Sequence, residues 1–148
     1  MGVIYIVSVE EKAGKTAICA GLVQAFREAG EKPGYLKPQT TSRDGTDGDI
    51  AFMKAVLGPD EHEETPEGAK GKDPVFVEAM LGMTPDDIVS RTTYGAAREM
   101  QARVIAVEAW TGGESPYTEV YNGFAEHLIG VVVNKVPVSQ VAAATDKL

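Results

Sequence analysis

Five short apolar runs, each separated from the next by a helical pattern, constrain the fold of this chain more than any other feature. The first run, VIYIVSV at 3–9, is rich in β-branched residues and lacks polar alternation, as in a strand buried on both faces. The other runs are GYLK at 34–37, PVFVEAML at 74–81, RVIAVEAW at 103–110 and IGVVVNKV at 129–136. Strands that alternate with helices favour an α/β fold of three layers, with a mostly parallel sheet of about five strands between two layers of helices.

The helical segments are indicated by the spacing of apolar residues and by capping residues at their ends. Ile18, Leu22 and Phe26 recur every four residues after the first run, and Gly30 follows as a C-cap. A second helix is predicted at 47–57. A third is predicted from Thr84, which precedes a proline and two acids, to about residue 102. Further helices are predicted from Ser115, with an apolar face that extends to residue 128, and from Ser139.

The bulk properties limit the classes of partner. A chain of 148 residues is long enough for one domain, and we expect residues 1–148 to form a single one. The net charge of −8 argues against nucleic-acid binding, which needs a basic face. No apolar run reaches the ~18 residues of a membrane span, and no basic leader precedes an apolar stretch, so we expect no membrane partner and a cytoplasmic location.

The segment EEKAGKT at 10–16 lies between the first predicted strand and the first predicted helix, where unpaired backbone N–H groups attract anions. Gly14 lets the backbone approach a phosphate, Lys15 can reach phosphate oxygens, and the Thr16 hydroxyl can bind Mg²⁺. The usual phosphate loop has an additional glycine where Val9 stands, and the alternative is a helix start that happens to contain lysine. The residues predicted to contact the nucleotide here are Glu11, Lys12, Ala13, Gly14, Lys15, Thr16 and Ala17.

A nucleotide site also needs carboxylates for its metal ion. Glu78 lies late in an apolar run, where a carboxylate is costly unless it faces a partner. Asp49 opens the second helix after a glycine-rich turn, in which Asp44 and Asp47 are alternatives. An ordinary role for Asp49 is that of an acid in a first helical turn. Because ligands of parallel sheets bind at the carboxyl ends of strands, the candidate stretches are residues 10–16, 37–41, 78–82 and 134–137.

Residues 3–137 resemble the dethiobiotin synthetase-like family of P-loop enzymes, which includes the N-terminal domain of long phosphotransacetylases and cobyrinic acid synthase-like proteins. The matching pieces, in order, are VSVEEKAGKT, GYLKP, DGDIAFM, VFVEAMLG, VIAVEAW and GVVVNKVP. In that family the loop also lacks the first glycine. The resemblance implies a P-loop NTPase-like fold that binds ATP and Mg²⁺, a small-molecule acid as second substrate, and a homodimer.

The resemblance also implies a role for individual residues. Lys15 and Thr16 would handle phosphate and Mg²⁺, and Asp49 and Glu78 would complete the metal site. Lys37 and Thr41 would face the substrate or the γ-phosphate, and Asn134 would hydrogen-bond the adenine edge. An alternative for Asn134 is to cap the turn before Pro137.

The chain departs from dethiobiotin synthetases at several points. Lys12 stands where those enzymes carry an acid, and Ala79 stands where they carry glycine. The stretch between Asp49 and Glu78 is shorter, and the chain ends soon after Asn134, where family members continue with another strand, so a C-terminal truncation is one expectation. The nearer likeness is to the uncharacterised or phosphotransacetylase-associated branch of the family.

Other reactive residue types have simpler interpretations. Cys19, the one cysteine, excludes an internal disulfide and lies on the apolar stripe of the first helix, where we expect a buried thiol. His62 and His127 have no partner at metal-ligand spacing. The functional hypotheses are therefore ATP- and Mg²⁺-dependent phosphoryl transfer to a carboxylate or carbamate, a non-catalytic nucleotide-sensing domain, or a degenerate domain that binds no nucleotide.

Overall fold

The computed structural model describes residues 2–38, 48–58 and 68–147. Within these ranges five strands form one sheet: β1 (Val3–Ser8), β2 (Gly34–Leu36), β3 (Val75–Met80), β4 (Arg103–Ala109) and β5 (Leu128–Asn134). The α-helices are α1 (Lys15–Glu28), α2 (Gly48–Leu57), α3 (Ile88–Glu99), α4 (Thr118–Asn122) and α5 (Val141–Thr145). Two turns of 3₁₀-helix, Ala125–His127 and Val138–Gln140, precede β5 and α5.

The strand order is β2-β3-β1-β4-β5, and every pairing is parallel. The first strand of the chain is therefore the central strand, flanked by β3 and β4. The prediction of an α/β fold with a parallel sheet and helices on both faces is confirmed. In a sheet of this order the chain reverses direction of winding beside β1, so the carboxyl end of β1 is where a ligand is expected to bind.

The two faces of the sheet carry separate hydrophobic clusters. On β1, Tyr5 and Val7 pack with α3 and α4, whereas Ile6 packs with α1 and α2. Strands buried on both faces need apolar side chains at every position, which explains why the runs lack polar alternation. Among the described residues, no helix is long and apolar enough to cross a membrane.

Helix starts differ most from the sequence-based predictions. The third helix begins at Ile88 and not at Thr84, because the Asp87 carboxylate accepts a hydrogen bond from the Val89 N–H (2.9 Å) and is the true N-cap. The helix predicted from Ser115 to residue 128 is only one turn long. Ala125 adopts a left-handed conformation (φ 51°), which ends helical geometry, and Leu128 already belongs to β5.

Gly123, at the end of α4, allows close packing of α4 on α3. The ring of Tyr94 lies against its Cα, stacks edge-on with Phe124 (4.8 Å between centroids), and donates a hydrogen bond from its hydroxyl to the Val120 carbonyl (2.5 Å). A Cβ at position 123 would overlap the Tyr94 ring, which is 6% exposed.

We predict that Gly123→Ala lowers the free energy of unfolding by about 1–3 kcal/mol, the usual cost of overpacking. The control is Gly95→Ala on the exposed side of α3, where an added Cβ meets no atom within 4 Å. That change should raise the stability by about 0.5–1 kcal/mol, because alanine is the better helix former. Urea titration followed by circular dichroism measures both, and equal stability of the two variants would contradict the packing described here.

Candidate functional site

The loop that joins β1 to α1 has the geometry of an anion-binding turn. β1 ends at Ser8 and α1 begins at Lys15, so residues 9–14 form the connection. Gly14 has φ +99°, in the left-handed region, and a Cβ there would overlap the Asn134 side chain, so both conformation and space require glycine. No side chain of the described residues caps the start of α1. The first N–H groups of the helix therefore point outward as anion ligands.

The end of β5 holds this loop in place. The Asn134 side-chain amide donates a hydrogen bond from Nδ2 to the Ala13 carbonyl (3.0 Å), and the Lys135 ammonium donates one to the Lys12 carbonyl. Ala13 itself is fully buried. These contacts turn two carbonyls of the loop toward β5, away from the side on which an anion would bind. Asn134 thus has a structural role in the loop in addition to the base-binding role predicted from the sequence.

Lys15 lies folded back onto the ends of two strands. Its ammonium donates a hydrogen bond to Ser8 Oγ (2.7 Å) and lies 3.1 Å from Met80 Sδ, and the residue is 7% exposed. Burial lowers the pKa of the ammonium, while the negative charge of Glu78 opposes that shift. A lysine held by a hydroxyl and a thioether has only weak partners, so it can exchange them for an anion at small cost.

Glu78 is buried beside the start of α1. The β1–β3 pairing sets Glu78 opposite Ile6. The Glu78 side chain is 2% exposed. Its Oε2 accepts a hydrogen bond from Thr16 Oγ1 (3.1 Å), whereas its buried Oε1 has no hydrogen-bond donor among the described residues. Burial raises the pKa of Glu78, and the hydrogen bond from Thr16 and the neighbouring Tyr35 hydroxyl oppose the rise. A buried carboxylate with an unused oxygen is suited to binding a cation.

Lys37 and Asp49 form an ion pair across the opening of the site. Lys37 follows β2, Asp49 lies in the first turn of α2, and Nζ and Oδ2 are 2.7 Å apart. The side chain of Lys37 is 13% exposed and that of Asp49 is 50% exposed. The charges of both residues act on Glu78: Lys37 lowers its pKa and Asp49 raises it.

A cavity of about 280 Å³ brings most of the predicted residues together at the carboxyl ends of β1, β2 and β3. Its lining residues are Glu11, Lys12, Lys15, Lys37, Asp49, Glu78, Ala79 and Met80. Thr16 touches this group through Glu78, and Ala17 is exposed on the first turn of α1. Thr41, Asp44, Asp47 and His62 lie outside the described residues. Three lysines and three carboxylates line the cavity, so its formal charges cancel, in a chain with a net charge of −8.

Sequence reasoning missed Ser8 and Tyr35 as residues of the site, and it included Met80 only as a member of the stretch 78–82, without a role of its own. Met80 holds Lys15, and the Tyr35 hydroxyl lies near Glu78, whose charge together with burial raises the pKa of that phenol. The signal for Tyr35 was its place in GYLK, immediately before Lys37, as a strand residue that faces α1 and α2. Met80 was marked only by its position at the carboxyl end of its strand, and its contact with Lys15 was not predicted, since a methionine at the end of an apolar run is ordinary core sequence.

Cys19 is a core residue, as predicted. Its thiol is fully buried, and burial together with the Glu78 charge raises its pKa, so the unreactive protonated form is favoured. His127 contacts the Ala102 carbonyl through Nδ1 (2.9 Å), at the edge of the sheet opposite to the cavity.

Comparison with solved structures gives the same fold. The crystal structure of FlhF complexed with GMPPNP/Mg(2+) superposes with a TM-score of 0.54 at 18% sequence identity, over 90% of this chain and 53% of FlhF. The chain thus spans about half the length of that protein. A comparison with curated proteins finds no match.

The sequence itself identifies a family. Residues 3–120 match the AAA domain family AAA_26, and this stretch includes β1, the phosphate loop, Lys37, Asp49, Glu78 and β4. The match covers well over half of the chain. The protein therefore belongs to the AAA_26 family of AAA domains, which are nucleotide-binding domains with a phosphate loop.

Proposed function

We propose that this protein binds ATP with Mg²⁺ and transfers the γ-phosphoryl group to a carboxylate or carbamate of a small organic acid, in the manner of dethiobiotin synthetase-type enzymes. The observation that carries the proposal is the single cavity in which the phosphate-loop lysine, a second lysine and two carboxylates meet. In the reaction an oxygen of the acid attacks the γ-phosphorus, the bond to the β,γ-bridging oxygen breaks, and ADP leaves. Such transfer depends on positioning and on positive charge around the phosphoryl group.

The phosphates would lie on the start of α1. Its outward N–H groups and the Lys15 ammonium are the donors, and Gly14 allows the chain to approach closely. Lys15 would move from Ser8 and Met80 to the β- and γ-phosphate oxygens, which are much stronger hydrogen-bond acceptors than a hydroxyl or a thioether.

The oxygen ligands of the site fit Mg²⁺. The Thr16 hydroxyl and the Glu78 carboxylate are in contact, and Glu78 Oε1 is buried without a donor. The described residues contain no cluster of three or more acidic, histidine or cysteine side chains that could hold a metal alone. That fits Mg²⁺, which usually keeps several waters and takes other ligands from the nucleotide. When bound, Mg²⁺ would neutralise charge that develops on the phosphates.

Lys37 is the proposed contact to the transferred group and the acceptor. Its ion pair with Asp49 holds the ammonium at the opening of the cavity, next to Lys15. Asp49 therefore serves as the partner of Lys37 before the nucleotide binds, and it could act as a metal ligand only after that pair separates. Thr41 remains a predicted substrate contact.

The base is proposed to be adenine, bound by Asn134. One N–H of this amide is engaged by Ala13, and the carbonyl oxygen with the second N–H would meet N6 and N7 of adenine. The complex of FlhF with GMPPNP/Mg(2+) supports a nucleotide with Mg²⁺ in this fold, although that protein shares only 18% identity.

A second candidate function is a nucleotide-sensing domain without catalysis, regulating an enzyme of the phosphotransacetylase type. The contacts of Lys15 with Ser8 and Met80 support this candidate. Nucleotide binding would break these contacts and replace them with contacts to phosphate, so the position of Lys15 would report whether a nucleotide is bound. An assay of ADP formation from ATP in the presence of small carboxylic acids distinguishes the two functions. The enzyme would form ADP, and a sensing domain would not. A cytoplasmic homodimer remains a prediction in either case.

We predict that Lys15→Ala weakens binding of ATP with Mg²⁺ by about ten- to a hundred-fold. This factor corresponds to the free energy of one hydrogen bond between charged groups. The matched control is Lys32→Ala, which removes an exposed lysine at the opposite edge of the sheet, before β2. Isothermal titration calorimetry measures both. Undiminished binding in Lys15→Ala would remove the phosphate-loop interpretation.

A second prediction concerns the pH dependence of metal binding. Only the ionised Glu78 carboxylate attracts a cation, and its raised pKa means that it becomes protonated at a higher pH than an ordinary glutamate. Mg²⁺-dependent ATP binding should therefore be complete above this raised pKa and be lost as the pH falls through it. Glu78→Gln should weaken Mg²⁺-dependent binding more than metal-free binding and should abolish this acid limb. Equal weakening of both kinds of binding would make Glu78 a structural carboxylate.

A third prediction separates the two roles of Asn134. Loss of the contact to Ala13 should weaken ATP and GTP equally, whereas loss of the base contact should lower the preference for ATP by about ten-fold. Asn134→Ala should therefore change both the affinities and their ratio. If a folded Asn134→Ala protein binds both nucleotides more weakly at an unchanged ratio, the residue only supports the loop.

A further inference from the structure

Met80 brings a sulfur atom into the wall of the candidate nucleotide site. It is the last residue of β3, and it lines the cavity of about 280 Å³ at the carboxyl ends of the strands. The residue is partly exposed, whereas most of β3 is buried. A cavity of this size holds several water molecules, so a solute as small as hydrogen peroxide has room beside this wall.

The sulfur is in direct contact with the phosphate-loop lysine. Met80 Sδ accepts a hydrogen bond from the Lys15 ammonium (3.1 Å), and the Ser8 hydroxyl lies 3.9 Å from the same sulfur. Lys15 is 7% exposed, so few other partners can reach it. A thioether is a weak acceptor, and any change that makes Met80 a stronger acceptor therefore strengthens its hold on Lys15.

The other methionines among the described residues do not combine this contact with access to the cavity. Met53 is fully buried in the core that packs against α1 and α2. Met83 and Met100 are 68% and 42% exposed, and neither lines the cavity. Met100 contacts the Tyr5 hydroxyl near the amino end of β4. A chemical change at Met83 or Met100 therefore leaves the hydrogen bond between Lys15 and Met80 as it is.

Oxidation converts a thioether into a much stronger acceptor. The sulfur electron pair attacks one oxygen of hydrogen peroxide, the O–O bond breaks, and a sulfoxide and water form. The sulfur loses two electrons and the peroxide gains them. The sulfoxide oxygen carries partial negative charge, and hydrogen bonds from an ammonium to such an oxygen are strong. Because Met80 Sδ already contacts Lys15 Nζ, an oxygen bonded to this sulfur can reach the ammonium by rotation of the side chain.

We propose that Met80 is an oxidation site that controls nucleotide binding: a peroxide converts its thioether to the sulfoxide, whose oxygen holds the Lys15 ammonium at the end of β3 and keeps it from the phosphates. This inference rests on the proposed function, because it requires Lys15 to contact phosphate. The stronger hydrogen bond stabilises the protein without nucleotide, and binding must break it. The affinity for ATP with Mg²⁺ therefore falls on oxidation.

Peroxide treatment of the full chain tests this directly. Mass spectrometry of its peptides measures the sulfoxide at each methionine, and isothermal titration calorimetry measures binding of ATP with Mg²⁺. We expect the protein with oxidised Met80 to bind about ten-fold more weakly, the effect of one strong hydrogen bond to a charged group. Unchanged affinity with oxidised Met80 would overturn the proposal. So would a Met80 that stays reduced while Met83 and Met100 are oxidised.

Variants assign the effect to one sulfur. Met80→Leu removes the sulfur at similar volume, so peroxide should not change its ATP affinity. Met83→Leu is the matched control, since Met83 is exposed outside the cavity, and it should lose affinity on oxidation as the wild type does. Met80→Gln supplies a permanent oxygen acceptor and should bind ATP about ten-fold more weakly than Met80→Leu. An equal effect of peroxide on Met80→Leu and on the wild type would overturn the proposal.

A measurement without nucleotide separates the oxidation site from the proposed function. Acetic anhydride labels lysine amines, and mass spectrometry gives the rate at each lysine. We expect slower labelling of Lys15 when Met80 is oxidised, because the stronger hydrogen bond makes the nitrogen less available, and no change at the exposed Lys32. Untreated protein that binds no ATP would contradict the proposed function. Equal labelling rates of Lys15 before and after oxidation of Met80 would overturn the oxidation switch.

Discussion

The parallel pairing of β1 with β3 is the constraint on which the candidate site depends. Its register sets Ile6 opposite Glu78 and Ser8 opposite Met80, so the last residues of β3 lie beside the loop that follows β1. Thr16 can then reach Glu78, and Lys15 can reach Met80. A shift of β3 by one residue would turn Glu78 to the other face of the sheet, where α3 and α4 pack. The hydrophobic pattern that fixes the register thus also fixes the geometry of the polar site.

Without ligands, four charged side chains of the site each contact another side chain, either an opposite charge or a neutral group. Lys37 pairs with Asp49, Thr16 donates to Glu78, and Lys15 is held by a neutral hydroxyl and a thioether. Burial acts on the two innermost groups in opposite senses: it lowers the pKa of Lys15 and raises that of Glu78. Both shifts express the cost of a charge held away from water, and an anionic ligand with a cation would relieve both at once.

The order of strands and helices was predictable from the sequence, because apolar runs indicate strands and apolar residues spaced four apart indicate helices, and both are local patterns. Lys15, Lys37, Asp49 and Glu78 were predicted and line one cavity, since each follows or ends a strand or opens a helix at the same edge of the sheet. The contacts among them were not predictable. Asn134 was predicted to bind the base or to cap the turn before Pro137, and neither prediction included its hydrogen bond to the Ala13 carbonyl, a contact that joins residues 121 positions apart. The true cap of α3, Asp87, was missed because Thr84 and Pro85 carry the stronger local signal.

The most direct test of the account is a crystal structure of the protein with a non-hydrolysable ATP analogue and Mg²⁺. We expect the Lys15 ammonium to leave Ser8 Oγ for the β- and γ-phosphate oxygens, and Thr16 and Glu78 to lie around the metal with Asn134 still bound to Ala13. A complex in which Lys15 stays on Ser8 and Met80, with the phosphates bound away from the start of α1, would contradict it.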